Sequence, residues 1–201
     1  MLINNSFLKY LSFLISAIFI AYVIYLIISS FFIVKNQFID IGDATYVNQV
    51  RTDDYTIKLA DFLTKDCASN KVCEVQAMLD FVTKIPYKIN ESIARSSKQV
   101  VEQNFGDCDD KSNLLISMLK VRGYEAYFVL VPKHIFVIIN LEDIKLNKKA
   151  LYVNDKPFYI LESTAENSKI GFPLKYSFKE IEAIVDPFVN KKLVINSLEY
   201  R

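Results

Sequence analysis

The chain has 201 residues, of which 52% are apolar and 23% are charged. A domain typically takes about 100–200 residues, so this chain can bury one sizeable core. The formal net charge is only +1, and the Lys and Arg residues are scattered instead of following one stripe. This charge pattern argues against nucleic acid as a partner.

The N-terminal segment departs from the composition of a globular domain. Between Lys9 and Lys35 it runs YLSFLISAIFIAYVIYLIISSFFIV, 25 residues without a charge, whereas a helix needs only about 20 residues to cross a bilayer. We expect a membrane span over 10–34, with residues 1–35 as the anchor. A cleavable signal peptide is the alternative, but its apolar region is normally about 7–15 residues long and precedes a small-residue cleavage site, which SSFFIVKN lacks.

Positive charges give the predicted span a slight orientation. The amino terminus and Lys9 precede it, and Lys35 follows it and is itself soon followed by Asp40 and Asp43. Acids count little in the positive-inside rule, so the bias towards an inside N-terminus is small. We expect residues 36–201 to lie outside the membrane. The oligomeric state stays open.

Two of the three cysteines lie close together in the stretch DCASNKVC. Cys67 and Cys73 can close a short disulfide loop, which fits a domain outside the membrane, and two unpaired thiols are the alternative. A metal site on this pair lacks a third and a fourth ligand at suitable spacing. Cys108 is left as the odd thiol.

Local patterns outline the elements of the remaining chain. Residues 36–54 predict an extended connector, and residues 55–201 predict one folded domain. YTIKLADFLTK and KVCEVQAMLDFVTKI carry apolar residues at helical spacing, and Pro86 ends the second of these helices. SFKEIEAIVDP predicts a helix with a capping box at Ser177 and Glu180, and KKLVINSL predicts a final strand. We expect three aromatic side chains near it to pack in the core: Tyr176, Phe178 and Phe188.

A further helix is predicted at CDDKSNLLISMLKVRG, starting at or near Cys108 and capped by Gly123. Its apolar residues recur at helical spacing: Leu114, Leu115, Met118 and Leu119. A helix start favours a thiolate, whereas the neighbouring acids raise the thiol pKa, so a reactive thiolate needs a cationic partner. We expect Asp109 and Asp110 to be caps or solvated charges.

The single histidine stands at a predicted hairpin. AYFVLV and HIFVIINL predict two strands, with His134 at the start of the returning strand. KPFYILEST predicts another strand, which ends at Glu162. If this strand lies antiparallel beside the histidine strand, Glu162 can orient the imidazole, and His134 can take the proton of Cys108. The sequence thus predicts a triad in the order cysteine, histidine, acid.

The segments GDCDDKSNLLISMLKVRGYEAYFVLV, KHIFVIIN and YILEST resemble the transglutaminase-like superfamily, and within it the bacterial transglutaminase-like cysteine proteinases, over residues 55–165. The resemblance implies an α+β, papain-like core in which the nucleophile helix packs on an antiparallel sheet. It implies Cys108, His134 and Glu162 as the catalytic triad, with no metal or organic cofactor. Two residues depart from the family pattern, because Glu162 stands where aspartate is usual and Ser163 stands where proline is frequent.

The implied function is that of a membrane-anchored cysteine peptidase, amidase or acyltransferase. Its substrate would be a protein or peptide amide, and its place the bacterial inner membrane with the catalytic domain on the periplasmic side. The backbone N–H of Cys108 is the expected oxyanion donor, and the side chain of Gln103 or Asn104 is an alternative. Hydrolysis and transfer to an amine are equally open. The competing hypothesis is a catalytically idle, membrane-tethered binding or assembly module with the same fold.

Overall fold

The structure is a computed structural model of the chain and describes residues 6–40, 45–48, 50–90, 95–141 and 146–201. The chain divides into two units, Met1–Phe38 and Ile39–Arg201. The first unit consists of helix α1, Ser6–Gln37. Its stretch Ser6–Ile33 is long and apolar enough to cross a membrane, as the sequence predicts.

The helices of the second unit begin at polar side chains that cap their first free N–H groups. The caps are Asp53, Asn70, Ser96 and Asp107. They start, in turn, α2 (Asp54–Thr64), α3 (Lys71–Lys84), α4 (Ser97–Gln103) and α5 (Cys108–Val121). The helices predicted at YTIKLADFLTK, KVCEVQAMLDFVTKI and CDDKSNLLISMLKVRG are thus present. Helix α4 was not predicted, although Ser96 and Gln99 form a capping box that signals its start.

Strands β1 (Phe38–Asp40) and β2 (Thr45–Val47) form a two-stranded sheet. A seven-stranded sheet has the order β8-β7-β3-β4-β6-β5-β9, and all its neighbouring strands run antiparallel. Its strands are β3 (Ala126–Val131), β4 (His134–Ile139), β5 (Leu151–Val153), β6 (Lys156–Leu161), β7 (Ala183–Asp186), β8 (Lys191–Lys192) and β9 (Leu198–Tyr200). The predicted α+β class is confirmed, and α5, which begins at Cys108, packs on the antiparallel sheet.

The large sheet has an apolar layer on each face, because successive side chains of a strand point to opposite sides. On the first face, Phe128, Val137 and Leu161 pack in one core with the helices. On the second face, Phe136 and Ile160 belong to another cluster. This second cluster is covered by the chain around residues 172–181 and by the C-terminal strand.

Part of the predicted connector contributes buried residues to the second unit. From Ile39 on the chain belongs to the second unit, whereas the sequence predicts an extended connector up to residue 54. Tyr46 is buried in the core, and its hydroxyl donates to Asn113 Oδ1 at 3.0 Å. Val50 is buried there too. A three-residue strand with one buried side chain is too short to produce a periodic pattern, so this packing left no signal.

The prediction of a helix at SFKEIEAIVDP is wrong. The capping box of Ser177 and Glu180 is present, but it starts only a 3₁₀ turn, Phe178–Glu180. The chain then enters β7, which pairs with β3 at Phe128↔Val185, so a distant strand decides the structure here. Phe178 is 46% exposed and is not a core residue.

The predicted disulfide between Cys67 and Cys73 is present, with Cα atoms 5.5 Å apart. Cys67 ends the 3₁₀ turn Lys65–Cys67 that follows α2, and Cys73 lies in the first turn of α3. The bridge therefore clamps the short connection between these two helices. Cys108 is the free cysteine of the described chain.

Candidate active site

The start of α5 is held in place by a close approach of two chain segments. Gly106 accepts from the N–H of Lys88 and donates to the C=O of Pro86, both at 3.1 Å. A Cβ at Gly106 would lie 3.0 Å from the Cβ of Asp110, so a larger residue would require Asp110 to shift by a few tenths of an ångström. Asp107 then caps the helix by accepting the N–H of Asp110 at 3.2 Å. Cys108 is consequently fixed as the first helical residue.

A buried ion pair anchors the first turn of α5. Asp110 is fully buried and accepts three hydrogen bonds from Arg95: the backbone N–H at 2.7 Å, Nε at 3.1 Å and Nη2 at 2.6 Å. Arg95 also donates to the C=O of Phe105 and to the side-chain oxygen of Gln103. The expectation that Asp110 is a cap or a solvated charge is therefore wrong, because Asp107 is the cap.

The thiol of Cys108 lies half-buried beside a second acid. Its Sγ donates to Asp109 Oδ1 at 3.6 Å. Burial, the charges of Asp109 and Asp107, and the bond to Asp109 raise the pKa of Cys108 to about 12, against a lowering by a backbone hydrogen bond from Ile135. Asp109 is partly buried, and burial together with the charge of Asp107 raises its own pKa. Asp109 is thus neither a cap nor a freely solvated charge, and the thiol is protonated at neutral pH.

His134 and Glu162 meet at the ends of two paired strands. His134 opens β4, Glu162 directly follows β6, and His134 Nε2 lies 2.9 Å from Glu162 Oε2. The other oxygen, Oε1, accepts from the N–H and hydroxyl of Thr164 at 3.0 and 2.6 Å. Burial tends to raise the pKa of Glu162, but the hydrogen bonds from His134 and Thr164 outweigh it and lower that pKa. Glu162 is therefore an anion that can orient the imidazole.

The first turn of α5 meets the start of β4, so that Cys108 and Ser112 lie against Ile135, the residue after His134. We call this meeting point the corner between α5 and β4. Pairing of β4 with β6 starts at Val137↔Leu161, which leaves the backbone of Ile135 without a strand partner on that side. The backbone of Ile135 instead forms hydrogen bonds with α5. Its N–H donates to Cys108, and its C=O accepts from the Ser112 hydroxyl at 3.3 Å. The thiol thus contacts the residue that immediately follows His134.

His134 Nδ1 faces no hydrogen-bond partner among the described residues, since the ring's one bond runs from Nε2 to Glu162. Within the same described ranges, Cys108 and His134 share no direct hydrogen bond. The structure therefore pairs the predicted base with the predicted acid and brings the predicted nucleophile to the same corner.

Two N–H groups at the start of α5 are candidates for an oxyanion site. The N–H groups of Asp110 and Lys111 donate to Asp107, whereas those of Cys108 and Asp109 have no acceptor in the described part of the chain. Gln103 is bonded to Arg95, and Asn104 is exposed at the end of α4. The backbone donors thus fit this role better than either side chain.

Sequence reasoning missed two residues of this corner. Tyr176, expected only as a core residue, stacks on the His134 ring with centroids 6.0 Å apart. Ser163, which departs from the family pattern, has its hydroxyl 3.0 Å from that of Ser112 and so ties β6 to α5. Tyr176 lies 42 positions after His134 on a loop, where no periodic pattern could have indicated the contact. The Ser163 contact follows from tertiary packing alone.

Comparisons with known proteins yield distant structural similarity. No family model matches the chain, and no curated protein sequence matches it. A proposed cysteine protease from Cytophaga hutchinsonii is 16% identical, with a TM-score of 0.43, over 58% of this chain and 39% of the other. A proposed protease from Parabacteroides distasonis is 15% identical, with a TM-score of 0.44, over 70% of this chain and 27% of the other. The chain thus spans well under half the length of both proteins.

Proposed function

We propose that the protein is a membrane-anchored thiol hydrolase or acyltransferase of the transglutaminase-like type, which acts on a protein or peptide amide. Cys108 is the nucleophile, His134 the base and Glu162 the acid that orients the base. The observation that carries the proposal is the 2.9 Å bond between His134 Nε2 and Glu162, formed at the corner where α5 presents Cys108. No cofactor takes part in this chemistry.

The first step is attack on the amide carbonyl with transfer of the thiol proton. Because the pKa of Cys108 is raised to about 12, the proton must leave during the attack. Nε2 of His134 is occupied by Glu162, so Nδ1 is the nitrogen that accepts this proton. Glu162 stabilises the imidazolium that results.

The tetrahedral oxyanion then needs fixed donors near the sulfur. The N–H groups of Cys108 and Asp109, which have no acceptor among the described residues, are in the first turn of α5, at the positive end of the helix dipole. His134 next gives its proton to the leaving amine, which frees the amine and leaves an acyl group on Cys108. Attack by water gives hydrolysis, and attack by a second amine gives transfer.

The proposed setting is the membrane. The apolar stretch Ser6–Ile33 of α1 supplies the anchor, and the catalytic domain lies on the outer, periplasmic side of the bacterial inner membrane. The substrate is then a protein or peptide that reaches that surface.

A second candidate function is a membrane-tethered binding module with an idle site. The raised pKa of Cys108 favours it, since a resting thiol is less reactive than a thiolate–imidazolium pair. The intact bond between His134 and Glu162 favours catalysis instead.

The test is incubation of the full chain, in detergent micelles, with a complex peptide mixture, followed by mass spectrometry of the products. We expect cleaved peptides, and in the presence of added methylamine we expect methylamides if the acyl group is transferred. Cys108→Ala should abolish both products, and His134→Ala should lower the rate about 10²–10⁴-fold, the usual contribution of a general base. Lys156→Ala, at the opposite end of β6 from Glu162, serves as the control and should leave the rate unchanged.

Products that persist in Cys108→Ala would contradict the proposed nucleophile. Absence of any product and of any acyl adduct on Cys108 in the wild type would favour the binding module.

A further inference from the structure

A cavity of about 290 Å³ lies beside the His134–Glu162 pair, on the second face of the large sheet. Phe136 of β4 and Ile160 of β6 form its floor. Phe136 lies two residues after His134, and Ile160 lies two residues before Glu162. Alternate side chains along a strand point to the same face, so these four side chains share the second face of the sheet. The loop 172–176 forms the facing wall. A group bound in this cavity therefore sits next to the proposed base.

The wall of the cavity is held in position by backbone hydrogen bonds. The N–H groups of Gly171 and Phe172 both donate to the C=O of Ile160, at 3.0 and 3.1 Å. The N–H of Leu174 donates to the hydroxyl of Tyr200 at 3.2 Å. Gly171 has a φ of +78°, which glycine adopts without strain and which turns the chain into the loop. The cavity is thus preformed.

Seven of the eleven lining residues are apolar or aromatic, which favours an apolar occupant in the part of the cavity away from the His134–Glu162 pair. Rings of Phe136, Phe172 and Tyr176 line the cavity, and the Phe136 and Tyr176 rings stack nearly parallel with centroids 6.1 Å apart. The volume of about 290 Å³ is large enough for one large side chain of a substrate. At the rim, Lys175 Nζ lies 4.9 Å from the centre of the Phe172 ring. Glu162 also lines the cavity, but His134 and Thr164 already donate to its carboxylate. A cationic side chain would therefore lose its hydration and face Lys175 for little gain, so it is disfavoured.

We propose that this cavity binds a large apolar side chain of the peptide substrate, with aromatic residues preferred, directly beside the amide that Cys108 attacks. The inference rests on the proposed function and adds its substrate class. A pocket that fits a large apolar side chain should favour it over alanine by about 10–200-fold in kcat/KM. Ring walls should add about a two- to twelvefold preference for an aromatic over an aliphatic side chain.

Two series of probes test the cavity on the full chain in detergent micelles. The first series is hydrolysis of acetyl-Phe, acetyl-Leu, acetyl-Ala and acetyl-Lys aminomethylcoumarin amides. The second is alkylation of Cys108 by acetyl-Phe and acetyl-Ala chloromethyl ketones, followed by mass spectrometry. Alkylation needs no acyl-enzyme turnover, so it reports on the cavity even without hydrolysis. In both series we expect the order Phe over Leu over Ala, and the Lys amide should be the poorest substrate.

Leu174→Trp should fill the cavity and reduce the preference for Phe over Ala to about threefold or less in both series. Val194→Trp is the matched control, because Val194 is 77% exposed on another loop, and its preference should stay that of the wild type. Equal alkylation by the Phe and Ala reagents in the wild type would overturn the proposed cavity, whether or not Leu174→Trp folds. Selective alkylation without any amide hydrolysis would contradict the proposed function and support the cavity.

Discussion

At the scale of single residues, Asp109 is the charge that most raises the pKa of Cys108. Burial is the largest cause of that raised pKa, the charge of Asp109 comes next, and Asp109 also accepts the S–H hydrogen bond. Asp109→Asn removes the charge but keeps the size. We expect the iodoacetamide reaction of Cys108 to move to lower pH by about one unit, since nearby like charges shift a pKa by roughly that much.

The matched control for this substitution is Asp54→Asn, in the first turn of α2, which should leave the profile of Cys108 unchanged. Rates of alkylation between pH 6 and pH 11 give the measurement. An Asp109→Asn profile identical to that of the wild type would mean that burial alone protects the thiol.

Glu162 should contribute a pH-dependent part of the stability. Its folded-state pKa is lowered below the ordinary value, so its contribution is present above about pH 4.5 and is lost as the pH falls through the folded pKa. Glu162→Gln should therefore reduce the free energy of unfolding at pH 7 by about 1–3 kcal/mol, the range for hydrogen bonds to charged groups. At pH values below the folded pKa the deficit should shrink towards zero.

Urea unfolding followed by the tyrosine signal, at pH 7 and pH 3, measures both values. Glu102→Gln is the control, because Glu102 is exposed on α4, and it should change the stability little at either pH. A deficit that is the same at both pH values would show that size and packing at Glu162, and not its charge, matter for stability.

At the scale of elements, the Arg95–Asp110 pair fixes the start of α5, the helix that carries Cys108. Arg95→Met leaves a fully buried carboxylate without its cation, which typically costs about 3–5 kcal/mol. The double variant Arg95→Met with Asp110→Leu should recover most of that loss, because an apolar replacement of a buried ion pair is often neutral. Urea unfolding of the single and double variants gives the coupling between the two residues.

The comparison variant is Lys98→Met, whose partner Glu102 is exposed. It should cost no more than about 1 kcal/mol, as exposed ion pairs do. If Arg95→Met behaved like Lys98→Met, the buried pair would not hold the start of α5.

Elements with local signals were predictable, and elements that depend on distant partners were not. The apolar spacing in α3 and α5 and the hairpin of β3 and β4 follow from neighbouring residues, so the sequence predicts them. The segment after Ser177 carries a helix signal as well, yet pairing with β3 makes it a strand. Likewise, the bond between His134 and Glu162 follows from the predicted strand pairing, whereas the contact of Tyr176 with His134 needs the tertiary fold.

At the scale of the whole molecule, the orientation of α1 decides where the proposed chemistry takes place. Lys9 and the amino terminus precede the uncharged residues 10–34, and Lys35 follows them. We predict that alkaline phosphatase fused after Arg201 is active in bacterial cells, because this enzyme needs an oxidising compartment for its disulfides. Green fluorescent protein fused at the same place should then be dark.

The disulfide between Cys67 and Cys73 supplies a second, independent readout of the same orientation. Disulfides persist in oxidising compartments and are rare in the cytosol. After denaturation without reductant, a domain outside the membrane should therefore bind one maleimide, at Cys108, and a cytosolic domain should bind three, since the chain has three cysteines.

The triple variant Lys9→Gln, Asn36→Lys, Gln37→Lys reverses the charge bias, so it should lower phosphatase activity and raise the share of molecules with three maleimides. Three maleimides and an inactive phosphatase in the wild type would place the domain in the cytosol and contradict the predicted orientation.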